Sequence, residues 1–338
     1  MKYSLAFILL ILTLHPPVLA QDTVDSIAYY QTYPDQLVLR TYMSRKYTGL
    51  GLRIEDVHYW YRPNSTLNMG VGATFEGLTL NLAYGFGFLN PDKSRGETKY
   101  LDLQAHAYPK DWVIDFFGQF YNGYYLERGS SIEIRNDLRI FPGMKLRKLG
   151  ASVQYLFNGD KFSYRAAFLQ NEWQKISSGS FLAGVEMYGG QVRNAEGILP
   201  SEANAINFDQ IKYFEIGPTL GYAYSWVFKK HFFITLSAAT SLALGRTYLN
   251  FEDGHNQSNW SVRPNYFLRG FTGYNSDKWS VNVNYVYNQV NLVPVNDYLI
   301  NLGTGNYRLN VIYRISPRGG LSKKLNWVSR LKNKLIKK

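Results

Sequence analysis

From about residue 37 to residue 315, large apolar residues alternate with small or polar ones in runs of ten to sixteen residues separated by turns. In Leu78-Thr79-Leu80-Asn81-Leu82-Ala83-Tyr84-Gly85-Phe86-Gly87-Phe88 every even position is apolar and large. Leu101, Leu103, Ala105 and Ala107 alternate with Asp102, Gln104, His106 and Tyr108. Val281, Val283, Tyr285 and Tyr287 alternate with asparagines, and Tyr307 to Ile315 alternates with Arg308, Asn310 and Arg314. A period of two places each set on one face of a strand. The pattern predicts strands at 37–46, 51–61, 66–76, 78–88, 98–108, 112–124, 145–157, 162–175, 179–190, 213–228, 231–246, 260–275, 279–291 and 304–315. That makes about fourteen, in a range of twelve to sixteen, and an even number suits a single-chain bacterial barrel.

A soluble sandwich also alternates, so three further features decide. The runs exceed the five or six residues usual in globular sheets and suit a tilted membrane strand of ~9–11 residues with extensions. Aromatics cluster near strand ends, at Tyr59-Trp60-Tyr61, Trp112, Tyr124-Tyr125, Trp226 and Trp279, where an interfacial girdle belongs. Asp102, Arg308 and Arg314 fall in mid-strand, which a sandwich core rejects and a wet lumen accepts. Aromatics make up 16% of the chain, and charged residues only 18% against about 25% in soluble proteins. The expected fold is all-β: an antiparallel outer-membrane β-barrel. Connections 191–212, 247–259 and 292–303 then face outward, and Lys229-Lys230 and 276–278 face inward. Segment 125–144 falls on the inner side, as a missed strand pair around Ile132 to Phe141 or as a plug.

Met1-Lys2, the apolar run Leu5–Leu14 and Val18-Leu19-Ala20 form a secretory signal with cleavage after Ala20. The expected organisation is a signal peptide at 1–20, a periplasmic segment at 21–36, the barrel at 37–315 and a basic tail at 316–338. The formal charge of +12 is concentrated in that tail, through Arg318, Lys323, Lys324, Arg330, Lys332, Lys334, Lys337 and Lys338. Leu321, Leu325, Val328, Leu331 and Leu335 recur at helical spacing, so an amphipathic helix could lie on a membrane surface through Trp327 and those cations. Its partner would be anionic phospholipid or an acidic periplasmic protein; a solvated tail is the plainer alternative. Export excludes nucleic acid, and the barrel's other partners are outer-membrane lipid and lipopolysaccharide.

Two motifs carry a resemblance. Phe162-Ser163-Tyr164-Arg165-Ala166-Ala167-Phe168 is followed by Gln170, Gln174 and Ser178-Gly179-Ser180-Phe181, and Tyr61-Arg62-Pro63-Asn64 runs into Met69-Gly70-Val71-Gly72. Over roughly 35–315 the chain resembles a family of Gram-negative outer-membrane β-barrel proteins of unknown function. The resemblance implies a barrel and its location and supplies no reaction. Read physically, Tyr61 would be an interfacial anchor and Pro63-Asn64 a tight turn. Gly70, Gly72, Gly85 and Gly87 would face inward, giving either curvature or clearance for a substrate or plug. Arg165 would point inward, and a bulge near Ala166-Ala167 would bring Gln170, Glu172 and Gln174 to the lumen.

Catalysis finds little support. There is no cysteine, no GxSxG elbow and no HxH or HxxxH spacing, so no metal or cofactor is expected. His106 and Asp102 are four strand residues apart, about 13 Å, too far for a hydrogen bond. His255 with Asp253, in an outer loop, is the best-placed pair for an outer-leaflet lipid-modifying enzyme. The lumen offers more: Glu76, Asp102, His106, Asp115, Arg165, Glu186, Arg308 and Arg314 would line it, as cross-lumen ion pairs or as a polar path. The leading expectation is a pore or transporter for a small or amphiphilic solute, with a structural or interaction barrel as the alternative.

Overall fold

The computed structural model describes residues 28–33, 35–75, 78–89, 92–127, 138–200, 206–317 and 319. Its strands are β1 Tyr30–Thr32, β2 Leu37–Ile54, β3 Val57–Arg62, β4 Asn68–Phe75, β5 Leu78–Gly85, β6 Lys99–Ala107, β7 Trp112–Glu127 and β8 Arg139–Leu156. After a short helix α1, Tyr164–Phe168, follow β9 Glu172–Gln174, β10 Ser178–Arg193, β11 Phe208–Phe228, β12 Phe232–Phe251, β13 Asn256–Asn275, β14 Trp279–Asn291 and β15 Tyr298–Ile315. All pairings between strands are antiparallel. Ten strands close a ring in the order β2, β3, β7, β8, β10, β11, β12, β13, β14, β15, sealed by a ladder from Tyr298↔Ile54 to Ile315↔Leu37. β4, β5 and β6 belong to the same sheet outside that ring, and β1 pairs only with β9.

The wall alternates as the sequence predicts. Leu309, Val311 and Tyr313 are exposed while Asn310, Ile312 and Arg314 are buried; Val281 and Val283 are exposed while Asn282 and Asn284 are buried. This exterior of leucine, valine, isoleucine and phenylalanine is the lipid-facing band of a membrane barrel. One end carries Leu37, Ile315 and the brief turns 229–231 and 276–278. Short turns mark the periplasmic, inner end. An aromatic girdle rims it, with Trp279 against Tyr313 at 4.5 Å and Trp112 against Tyr155 at 5.3 Å.

The lumen is filled in three levels, which β15 traverses in order. The inner level is a plug made from residues 157–177, to which Arg314 is bonded. The middle level is polar and includes Asn310, Arg308, Asn306 and Thr304. The outer level is apolar: Leu302, Ile300 and Tyr298 join Leu50, Tyr61, Met144, Val192, Phe208 and Leu249 in one buried cluster. Two outer connections fold into that cluster through Ile198, Leu199, Leu292 and Val295, and the Tyr61 hydroxyl donates to the Ile198 carbonyl at 2.6 Å. Burying a large apolar side chain stabilises by about 1.5–3 kcal/mol, so this stopper is held by substance rather than by a few bonds.

Several expectations are corrected here. Where fourteen wall strands are expected, ten close the ring and three more, β4, β5 and β6, belong to the same sheet among the described residues; 162–175 is not a wall strand, and the start of 51–61 belongs to β2. Removing 162–175 reverses the direction of everything before it, so the end of β7 at Glu127 and the start of β8 at Arg139 lie on the outer side, and the plug is 157–177. Ser163 caps α1, its hydroxyl accepting from the Ala166 N–H at 2.9 Å, and Gln170 ends the turn at φ 57°. Tyr164 and Phe168 share a parity under period two, yet they also sit four apart, and as a helix pair their rings lie 4.0 Å apart. Tyr59, Tyr61, Tyr124 and Tyr125 are buried inside rather than placed at the membrane interface. Tyr124 and Tyr125 both turn inward because the ladder slips beside Gly123, whose φ is 89°. Pro63-Asn64 is a step between β3 and β4 rather than a reversal. The tail residues Lys323, Lys324, Trp327, Arg330, Lys332 and Lys334 lie outside the described residues, as do the signal segment and Glu76.

Candidate functional site

The plug is docked by polar bonds. Arg314 donates to the Gln170 carbonyl at 2.7 Å, Ser280 to the Gln170 side chain at 2.6 Å, and the Trp173 indole to the Lys230 carbonyl at 2.8 Å. Deeper, Asp115 is fully buried and gathers three partners: Arg269 at 2.5 Å, His106 Nδ1 at 2.6 Å and the Tyr108 hydroxyl at 3.1 Å. Arg269 also donates to the Tyr164 hydroxyl of α1 and lies 3.8 Å over the Phe267 ring. The arrangement is a charge-assisted anchor between wall and plug.

Above the anchor runs a polar belt. Lys148, buried, donates to Asn288 at 2.7 Å and to Thr304 at 3.2 Å and sits 4.9 Å over the Tyr188 ring. Glu186 and Glu215 share the Asn265 amide, and Glu186 also accepts from Ser241. Asp102 takes Lys46 at 3.3 Å, Gln104 at 3.0 Å and the Tyr121 hydroxyl at 2.7 Å.

Between plug and stopper lies a narrow cavity of about 100 Å³. Its lining combines apolar Phe117, Phe168, Leu169, Phe267, Phe271 and Ile312 with Arg40, Arg308 and several asparagines. Arg269 is neutralised by Asp115, but Arg40 and Arg308 have no carboxylate within ion-pair distance among the described residues. Arg40 donates to Asn171 at 2.9 Å, to Thr74 at 3.2 Å and to the Leu169 carbonyl at 3.2 Å, while its Nε is buried without a partner. Arg308 lies 4.5 Å over the Tyr42 ring and its Nε is likewise unpaired. The cavity therefore holds two guanidinium groups without an ion-pair partner among the described residues. Gly72 makes room for one of them, since a Cβ there would stand 2.9 Å from Cγ of Arg40.

The wall beside this cavity is interrupted. Near the outer end β2 pairs β3, which pairs β7. Pro63 has no N–H to continue the ladder, and below it β2 pairs β4, β4 pairs β5, and β7 pairs β6, but β5 and β6 do not pair. The Tyr100 hydroxyl bridges the top of this seam, 3.0 Å from Thr66 Oγ1 and 3.1 Å from Asn68 Nδ2. Asn81 of β5 and Gln104 and His106 of β6 line the cavity; Leu82, Tyr84, Leu101 and Leu103 are exposed on the outside.

The structure thus gathers Asp102, His106, Asp115, Glu186, Arg308 and Arg314 inside the barrel. Arg165 is on the plug, beside Glu172 at 3.5 Å, rather than on the wall. His106, too far along its own strand from Asp102, pairs across the ladder with Asp115. His255 and Asp253 bond each other in an exposed outer loop; the His255 N–H and ring hold the Asp253 carboxyl below the usual carboxylate range. Among the described residues no cluster of three or more His, Asp or Glu could hold a metal ion. Arg40, Lys148, Glu215 and Arg269 are absent from the predicted lumen set. Their runs, such as Phe267-Leu268-Arg269-Gly270-Phe271, carry apolar residues on both faces because parts of the lumen are themselves apolar, so the alternation that would reveal them is blurred.

Residues 21–315 match the family described as Domain of unknown function (DUF4421), and the chain belongs to that family. No curated protein matches. Among solved structures, the outer membrane protease OmpT of Escherichia coli is 10% identical with a TM-score of 0.43, covering 83% of this chain and 97% of its own. The translocator domain of the autotransporter NalP of Neisseria meningitidis is 10% identical with a TM-score of 0.36, covering 82% and 88%. OprG of Pseudomonas aeruginosa is 8% identical with a TM-score of 0.28, covering 86% and 100%. Similarity at that level attaches no activity to this chain.

Proposed function

We propose that this member of a family without assigned function is an outer-membrane barrel that binds an anionic amphiphile in its luminal cavity. The observation behind this reading is the pairing of Arg40 and Arg308, both without a carboxylate partner among the described residues, with the aromatic wall of the same cavity. A guanidinium kept from water without a counter-ion is costly, and an entering carboxylate relieves that cost while its apolar part meets Phe168 and Phe271. Filled inner and outer levels argue against an open aqueous porin.

The test is equilibrium binding of a long-chain carboxylate to the refolded barrel in detergent, followed by tryptophan fluorescence or calorimetry. Each charge-assisted hydrogen bond is worth about 1.5–3 kcal/mol, so Arg308→Gln should weaken binding tenfold or more, and Arg40→Gln similarly. An uncharged alcohol of the same chain length should bind the native protein much less tightly. Equal affinity for alcohol and carboxylate, or an unchanged Kd in both variants, overturns the proposal.

A further inference from the structure

Axially, the described residues cover the cavity at both ends. The outer level is a continuous apolar cluster, and the inner level is the bonded plug. The remaining approach is sideways. Around the outer part of the barrel one strand, β3, stands between β2 and β7; further in, that single position is replaced by β4, β5 and β6, and the junction of β5 with β6 carries no ladder. Both faces of β5 are exposed over Asn81, Leu82, Ala83 and Tyr84, whereas a strand in a closed wall shows one face only. The two edges present unpaired N–H and C=O groups at membrane depth, which hydrocarbon does not tolerate unless the backbone lines a wet cavity or is re-paired. The seam opens on such a cavity: Asn81, Gln104 and His106, on its two rims, are also cavity walls.

We infer that the β5–β6 seam is a lateral portal, through which a single-chain amphiphilic anion passes between the bilayer and the cavity. This rests on the binding reading above and adds the route. The two rims match such a molecule. Outside, Leu82, Tyr84, Leu101 and Leu103 offer the acyl chain an apolar edge. Inside, amide and imidazole side chains lead the head group towards Arg40 and Arg308. The narrow cavity suits one chain rather than the two of a phospholipid. The seam is also built to stop short: the Tyr100 bridge and the bonds from the Asn64 side chain to the carbonyls of Asp92 and Gly96, at 2.7 and 2.8 Å, tie its outer end. Opening is confined to the part that faces lipid and cavity together.

The chain has no cysteine, so introduced thiols are unique. In the first experiment Leu82→Cys and Leu103→Cys, both on the lipid side, are bridged in vesicles by a reducible bifunctional thiol reagent. A spin-labelled stearate supplied in the bilayer reports loading of the barrel. Loading should slow at least tenfold on bridging and recover on reduction. A control bridge between Val283→Cys and Leu309→Cys, partners in an existing ladder, should leave it unchanged. Equal loading with the seam bridged overturns the portal, while binding itself stands; absence of binding by the unbridged protein overturns the binding reading instead. A second measurement needs no bridge: a maleimide on an acyl chain, confined to the bilayer, should label Gln104→Cys and spare Asn282→Cys, which is buried inside an unbroken part of the wall. Failure to label Gln104→Cys, or equal labelling of both, also overturns the portal.

Discussion

Replacing Arg269 by methionine isolates the anchor that joins plug to wall. Asp115 has no exposed surface, and its two oxygens are shared by Arg269, His106 and Tyr108. Arg269→Met leaves a buried carboxylate without its strong partner, a change that costs about 3–5 kcal/mol. The contact of the guanidinium with Phe267 at 3.8 Å is lost as well, worth about 0.5–2 kcal/mol, though methionine recovers part of it by packing on the same rings. The net expectation is a loss of about 3–5 kcal/mol, read as a lower urea midpoint in lipid vesicles at constant slope. The double variant Asp115→Leu/Arg269→Met removes both charges together. It should regain much of the loss, short by the cost of about 1–3 kcal/mol for the Tyr108 hydroxyl left without an acceptor. Because Arg269 also holds Tyr164, the single variant should loosen α1, read as faster hydrogen exchange at Ala167 and Leu169. A single variant with an unchanged midpoint, or a double variant less stable than Arg269→Met, would refute the anchor.

Three further outcomes are expected. Leu309→Arg, on the lipid face, should destabilise the barrel by about 2–4 kcal/mol if near the midplane, while Asn310→Gln on the other face changes far less; equal losses would mean the register of β15 is wrong. At the outer end, Asp92 accepts from the Ser94 hydroxyl and N–H, which hold its carboxyl below the usual range. Its folded value lies below its unfolded one, so its contribution to ordering residues 92–96 is present above the unfolded value and is lost as pH falls through the folded one. Faster hydrogen exchange at Ser94 on acidification should show this, and a titration of Asp92 at or above the ordinary carboxylate value would contradict it. A peptide spanning 317–338 should become helical on anionic vesicles at low salt and detach as salt rises; a peptide that stays unstructured and unbound leaves only the acidic partner for the tail.

The period of two is a local property, set by the pleat and by lipid on one side, so the wall was legible without the fold. Leu309 outside and Asn310 inside follow from the alternation alone, as does the outward course of 191–212 and 292–303. The concentration of positive charge in 316–338 is likewise a matter of composition alone. The plug was not legible, because Phe162 to Phe168 satisfies strand and helix periods together, and only the Ser163 cap and docking against Arg269 and Phe271 choose between them. That one misreading inverted the sense of 125–144. Nor was the site. Arg40 and Arg308 lie far apart along the chain and meet only because the ring closes β15 onto β2, where Arg308 pairs Ser44 and Arg40 pairs Ile312. The seam is more remote still from the sequence. β5 and β6 each alternate as well as any wall strand, and whether two edges hydrogen-bond depends on where the neighbouring strands carry them, which only the tertiary structure decides.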